Sequence, residues 1–303
     1  MLLNRYKEVR KPSINLLKRF YTSELLDHEN VTPVQLSYAS YETQKTDRNH
    51  PPLVIVHGYL ASKRNWVHPS KELLEKTNPQ RKIIAIDLRN HGDSPHSPEH
   101  SNNHIVRDIK EFINSFPFKT VALMGHSYGG LTSMLFALLY PDKVEKLIVV
   151  DIAPRDQRKN LQHVKDILDA VMQVSIPPKI PMTVARSLID EQLKKRVPEK
   201  GYRAFLLTQL VRREDGQDHV VETGFFPEII GKIYEKPTIF IGGEKSAFLR
   251  KEDEVDTKRY FPEAKFHYIP GAGHVVHADK PKEFIKICVD FLNKPEDSIV
   301  PVG

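Results

Sequence analysis

Cysteine is almost missing from this chain: there is one, Cys288, in 303 residues. A single thiol can form neither an internal bridge nor a thiolate cluster. That excludes a disulfide framework and a cysteine-based metal site, and implies a reducing compartment or a disulfide-free fold. Cys288 ends the apolar run Phe284-Ile285-Lys286-Ile287-Cys288 and reads as a small core residue. Long hydrophobic runs are missing too. No stretch approaches the roughly 18 apolar residues of a membrane-spanning helix, so no transmembrane segment is expected. The 14 histidines include no H-E-x-x-H, and no dinucleotide fingerprint follows a strand. No metal and no cofactor are expected.

Acid is scarce at one end. Residues 1–21 hold Arg5, Lys7, Arg10, Lys11, Lys18 and Arg19 against Glu8 alone, so most of the net charge of +6 sits there. The remainder is close to neutral and leaves no basic field for a phosphate backbone; no nucleic-acid partner is expected. The basic segment is interspersed with Leu2, Leu3, Ile14, Leu16, Leu17 and Phe20 and lacks a secretory signal's apolar centre. It reads as a mitochondrial presequence for the matrix, with Arg19-Phe20-Tyr21 resembling a peptidase site. Pro12 interrupts a continuous helix, and the plainer alternative is a basic tail.

What is present is a rhythm. Seven short apolar runs read as strands: Val34–Tyr38, Leu53–His57, Lys82–Asp87, Val121–Gly125, Lys146–Asp151, Thr238–Ile241 and Phe266–Ile269. Several are continuous and rich in Val and Ile, as strands buried on both faces should be. Helical segments are expected at 65–76, 104–115, 128–139 and 280–293. This alternation predicts an α/β fold, a mainly parallel sheet with helices on both faces. The rhythm breaks over 154–232, where helix-like segments near 160–172, 182–195 and 201–212 are punctuated by Pro177, Pro178 and Pro181. We read an inserted helical cap between core segments 31–153 and 233–293, and a flexible tail at 294–303. Most of Met172, Ile176, Ile180, Met182, Leu188, Phe205, Leu206, Phe225 and Phe226 are expected to pack the cap onto the core.

Three motifs carry chemistry. In the first, Val121–Gly130, an apolar strand runs into Gly125-His126-Ser127-Tyr128-Gly129 and then a helix. G-x-S-x-G in that setting places a serine on a tight strand-to-helix turn with its hydroxyl in a cleft, and the helix N-terminus favours developing negative charge. The plainer alternative, a serine capping an ordinary helix, does not call for small residues on both sides. In the second, the buried strand Leu53–Val56 ends in His57-Gly58, so the backbone amides of Tyr59 and Tyr128 are the candidate oxyanion donors. His57 reads as a structural histidine. In the third, Gly271-Ala272-Gly273-His274 closes the last strand and makes His274 the candidate base, whereas His277 should point elsewhere.

The acid is less direct. A frequent position lies in the segment Gly242-Gly243-Glu244-Lys245-Ser246, where a serine stands instead. Asp151 follows four apolar residues, and a carboxylate there needs a partner. It is the candidate acid, with Glu244 and Asp256 as alternatives.

The string Asp87-Leu88-Arg89-Asn90-His91-Gly92-Asp93-Ser94-Pro95-His96-Ser97 resembles the corresponding loop of the α/β-hydrolase domain-containing protein eleven group, with bacterial short esterases and yeast ethanol acetyltransferases as relatives. Ser62–Trp66, Val150–Pro154 and Gly273–Pro281 match as well, and the resemblance spans residues 31–293. It implies an α/β-hydrolase fold, a triad of Ser127, Asp151 and His274, a mitochondrial location, and acyl-ester substrates that include diacylglycerol. Tyr128 departs from the group's methionine after the nucleophile, and Tyr59-Leu60-Ala61 from a more glycine-rich loop. The function expected is a serine ester hydrolase acting on a small-molecule acyl ester. An acyltransferase passing the acyl group to an alcohol would use the same residues. From another class, the alternative is a non-catalytic partner of a mitochondrial enzyme complex.

Overall fold

The computed structural model describes residues 29–155, 166–167, 170–171, 173–177, 180–198, 200–208 and 232–294. The segment 1–21, expected to be a presequence, and the tail beyond 294 lie outside them, as do Met172, Pro178, Phe225, Phe226 and the Phe205 side chain.

Seven strands form one sheet: β1 (Tyr38–Tyr41), β2 (Leu53–Val56), β3 (Ile83–Ile86), β4 (Val121–His126), β5 (Val144–Val150), β6 (Thr238–Gly243) and β7 (Ala264–Ile269). Their order is β1-β3-β2-β4-β5-β6-β7. β1 runs antiparallel to β3, and every other pair is parallel. The continuous apolar runs explain themselves here, because β2 through β6 are buried along their whole length. Side chains alternate between two cores. Val54, Val56, Leu123, Leu147, Val149 and Phe240 face one core, while Leu53, Ile55, Met124, Ile148, Ile239 and Ile241 face the other.

Helices close both faces. α2 (Asn102–Asn114) and α3 (Tyr128–Leu139) cover the first core. α1 (Val67–Lys76), preceded by a 3-10 turn over Lys63–Trp66, covers the second with the C-terminal α8 (Pro281–Leu292). α8 turns Phe284, Ile285, Cys288, Phe291 and Leu292 inward, the spacing of one helical face. Cys288 is fully buried, and burial pushes its thiol up.

The first strand differs from the expectation of Val34–Tyr38. Pairing begins only at Tyr38, opposite Ile86. The Val34 amide donates to Asp108 Oδ1 (2.7 Å) and the Ser37 amide to Ser94 Oγ (2.8 Å), so side chains of α2 and of the loop after β3 hold this run. The true β1 is a half-exposed edge strand, Tyr-Ala-Ser-Tyr, and carries no apolar run to betray it.

Between β5 and β6 lie α4 (Met182–Leu193) and α5 (Lys200–Thr208). Ile167, Ala170, Ile189, Leu193, Val197 and Leu206 form a small separate cluster against which Leu60 packs. Of the apolar residues most of which were expected to pack this region onto the core, Leu206 is buried, whereas Ile176 and Leu188 are 41% and 39% exposed. α4 buries Ala185, Ile189 and Leu193 instead, and Leu188 lies on the other side of that stripe. Two very short helices, α6 (Glu254–Thr257) and α7 (Val276–Asp279), lie further along the chain.

β3 lies on one side of β2 and β4 on the other, so the chain reverses direction between β2 and β4. In open α/β sheets the crevice at the carboxyl ends of strands beside such a switch is where ligands bind. The loops after β2, β4, β5, β6 and β7 all open at that end.

Candidate active site

β4 ends at His126 and α3 begins at Tyr128, so Ser127 alone makes the turn. Its φ of 53° and ψ of −119° lie where a residue with a Cβ is strained. The turn is held by the Ser127 amide donating to Val150 O (2.9 Å) and the Leu131 amide donating to Ser127 O (3.0 Å). The flanking glycines are dictated by backbone proximity. A Cβ on Gly125 would sit 2.2 Å from Gly129 O, and one on Gly129 would sit 2.4 Å from both Val56 O and His57 O.

His274 Nε2 lies 3.0 Å from Ser127 Oγ, and His274 Nδ1 lies 2.6 Å from Asp151 Oδ2. A carboxylate facing Nδ1 keeps the proton there, which leaves the Nε2 lone pair to accept from the serine hydroxyl. Asp151 is fully buried and also has a positive φ, 53°. Its Oδ1 accepts from the Gly243 amide (2.9 Å), and its Oδ2 accepts a second bond, from Ser246 Oγ. The other two candidate acids are engaged elsewhere. Glu244 accepts from the Gly271 amide (2.9 Å), and Asp256 sits on α6 beside Arg259, 3.3 Å away, both well exposed. Ser246 therefore occupies more than a missing acid's place, since its hydroxyl serves the carboxylate supplied by β5. The available signal was a hydroxyl standing where an acid was absent.

Neither of the other motif histidines joins this relay. His57 Nε2 accepts from the Leu88 amide (3.0 Å), so its Nδ1 donates to Gly58 O (2.7 Å). It ties the loop after β2 to the loop after β3, and burial pushes its pKa down to about 3. His277 stacks on Trp66 at 4.3 Å between ring centres, and burial again lowers it to about 3. A histidine to which the motif assigns no role is tied to the base. His126 Nε2 donates to the backbone carbonyl of His274 (2.9 Å), linking the serine's turn to the base's loop. Burial, with His274 and His277 nearby, keeps its pKa well below the ordinary value.

The candidate oxyanion amides border the serine. Tyr128 opens α3, and Tyr59 follows Gly58, whose added Cβ would lie 3.1 Å from Ser127 Cβ. The two tyrosine rings meet edge to face at 5.8 Å. His100 stacks on Tyr128, and His91 meets Tyr59. Burial pushes the Tyr128 phenol up, so it stays un-ionised.

The distinctive Asp87–Ser97 string is scaffolding for this side. Asp87 accepts from the amides of Lys63 (2.6 Å) and Asp93 (2.9 Å). Gly92 has φ +54°, and a Cβ there would meet Asp87 Oδ2 at 2.2 Å. Arg89 forms a two-pronged, fully buried ion pair with Asp108 of α2 (2.6 and 2.8 Å), and donates further to Glu99 O and Thr32 O. Among the described residues, no cluster of three His, Cys, Asp or Glu side chains is arranged to hold a metal, and no helix is long and apolar enough to cross a membrane.

A serine on a strained strand–helix turn, at the switch point of a mostly parallel sheet, defines a class. The chain belongs to the α/β-hydrolase fold family, which it matches over residues 51–281. Within it, the chain is 37% identical over 271 residues to the sn-1-specific diacylglycerol lipase ABHD11 of Danio rerio, covering 86% of this chain and 83% of that protein. It is 30% identical to esterase YbfF of Escherichia coli, covering 83% and 97%. A solved marine microorganism esterase superposes with a TM-score of 0.72 at 32% identity, covering 86% of this chain and all of the other.

Proposed function

We propose that this protein is a serine hydrolase that cleaves carboxylic acyl esters through an acyl-enzyme on Ser127, with lipid esters of the diacylglycerol kind as substrates. The observation that carries this reading is the unbroken chain from Ser127 Oγ to His274 Nε2 and from His274 Nδ1 to Asp151. The lipase and esterase relatives support the bond class, and the lipase named for diacylglycerol supports the substrate class.

In this mechanism Ser127 Oγ attacks the acyl carbonyl while His274 Nε2 takes its proton. Asp151 stabilises the imidazolium that forms. The amides of Tyr59 and Tyr128 hold the oxyanion, each worth about 2.7–4 kcal/mol of transition-state stabilisation. His274 then gives the proton to the departing alkoxide, and the C–O bond breaks. Water repeats the sequence against the acyl-enzyme, releasing the acid and restoring Ser127. An alcohol in place of water would make the same site an acyltransferase. The helical insertion at 154–232 acts as a cap over the site, on a core of 31–153 and 233–293. The basic, nearly acid-free segment 1–21 serves as a matrix presequence, which import of a 1–21 fusion into isolated mitochondria would test.

The decisive experiment is labelling by a fluorophosphonate probe, expected for the native protein and lost in Ser127→Ala. Well-folded protein that takes no label would overturn the enzyme reading in favour of a binding role. An acyl-chain series of esters, run with and without added alcohol, then separates hydrolysis from transfer by its products.

A further inference from the structure

A cavity of about 890 Å³ opens beside His274. Asn65 and His68 wall it on one side, Ala204 of α5 on another, and Lys245, Phe248 and Asp279 along the loops after β6 and β7. Its walls include His274 but not Ser127, Tyr59 or Tyr128. The Phe248 ring stacks on the His274 imidazole at 4.1 Å, so one wall of the cavity is also a cover for the base.

Which part of an ester faces this cavity follows from the direction of proton transfer. His274 must hand the serine proton to the alkoxy oxygen, so that oxygen lies within hydrogen-bond reach of Nε2, on the imidazole side. The carbonyl oxygen turns the other way, toward the Tyr59 and Tyr128 amides. The group that enters a cavity bordered by the base and not by those residues is the alcohol. Its size and lining say what kind of alcohol. The volume is near the top of the range for small-molecule pockets, about 300–1,000 Å³, and a methanol-sized group would leave most of it empty. Lys245 and Asp279 carry opposite charges, Asn65 and His68 offer polar groups, and Phe248 and Ala204 are apolar. Among the described residues, that mixture suits an uncharged polyol bearing hydrocarbon and offers no single-sign field for a charged one.

We propose that this cavity is the alcohol-side pocket of the enzyme, and that it takes a glycerol-like leaving group rather than the acyl chain. The proposal rests on the ester-hydrolase reading. The same pocket would receive an acceptor alcohol, since the reverse step uses the same proton path.

The test compares three butanoyl or decanoyl esters: glyceryl butanoate, methyl butanoate and methyl decanoate. Ala204→Trp fills the cavity from an exposed helical position that lies outside the core. It should lower kcat/KM for glyceryl butanoate about tenfold, through KM, and leave both methyl esters within about twofold of the native protein. Lys245→Ala should act in the same direction, more weakly, and covers the case in which the tryptophan variant does not fold. Selective loss of methyl decanoate would make the cavity an acyl channel and overturn the proposal. Equal loss on all three esters, with fluorophosphonate labelling of Ser127 intact, would overturn it too. Native protein that neither labels nor hydrolyses any of the esters would instead defeat the underlying hydrolase reading.

Discussion

Asp151→Asn is the sharpest perturbation of the proposed site, because the replacement keeps the shape and changes only which atoms accept. Asp151 receives three donors: the Gly243 amide on Oδ1, and His274 Nδ1–H and Ser246 Oγ–H on Oδ2. Asparagine offers one oxygen and one NH₂. If its oxygen stays on Gly243, the NH₂ faces His274 Nδ1, and the imidazole must move its proton to Nε2. Ser127 Oγ then meets an N–H, and no lone pair remains to take the serine proton. If the amide flips, the NH₂ confronts the Gly243 N–H in a fully buried place, at about 1–3 kcal/mol for the unmet donors. The first arrangement is therefore favoured. By analogy with serine enzymes whose triad acid is amidated, kcat should fall by about 10³–10⁴, or about 4–5.5 kcal/mol, with KM little changed. The assay is steady-state hydrolysis of a short acyl ester alongside the rate of fluorophosphonate labelling, with circular dichroism and thermal melting as folding controls. Activity within tenfold of the native protein, in a folded variant, would refute the assignment and return the question to Glu244.

Other expectations follow from the surrounding packing. Arg89→Met strips the buried Asp108 carboxylate of its guanidinium and should cost about 3–5 kcal/mol in urea unfolding; adding Asp108→Asn should recover much of it, and native stability in the single variant would contradict the pair's role. Gly129→Ala forces a Cβ to within 2.4 Å of two backbone carbonyl oxygens and should destabilise by about 3 kcal/mol or more. Gly201→Ala on α5 meets nothing within 4 Å and should be neutral or stabilising by up to about 1 kcal/mol. Acid should weaken the fold through His57, His126 and His277. Their folded pKa values are lowered, so the neutral form's advantage is complete above the unfolded pKa near 6.5 and is lost as pH falls toward the folded values. Between pH 7 and 5.5 that amounts to about 1 kcal/mol per histidine. Urea unfolding at the two pH values measures it, and an unchanged free energy would show that these rings are charged in the folded protein.

Much of the architecture is legible in the sequence because β2 to β6 are buried on both faces and so spell continuous apolar runs. β1 is half exposed, and its Tyr-Ala-Ser-Tyr offers neither a run nor a clean alternation. Asp151 could be read because a charged residue straight after four buried apolar ones demands a partner, which makes the solitary carboxylate a signal in its own right. His126 could not. It occupies the variable position of G-x-S-x-G, and its acceptor, the His274 carbonyl, is 148 residues away. The exposure of Leu188 was hidden for a related reason. Hydrophobicity says that a residue benefits from burial, but not which of two apolar stripes on a short helix finds a partner.

The histidine missed by the motifs bears on the base that they point to. In the proposed mechanism, attack by Ser127 requires a positive charge to appear on His274. His126 lies 4.9 Å from it, ring centre to ring centre, and His277 lies 4.9 Å from His126. Were His126 charged, its repulsion of the new imidazolium would be roughly 3 kcal/mol at an effective dielectric of about 20. That would oppose a large part of what Asp151 contributes. Burial removes the conflict by keeping His126 and His277 neutral, so the nearest histidine ring offers the base's loop an N–H donor without a competing charge. A neutral His126 thus adds no repulsion to the imidazolium that the proposed mechanism forms. The same burial that makes the fold acid-sensitive leaves the relay a single site for positive charge, with the carboxylate directly beside it.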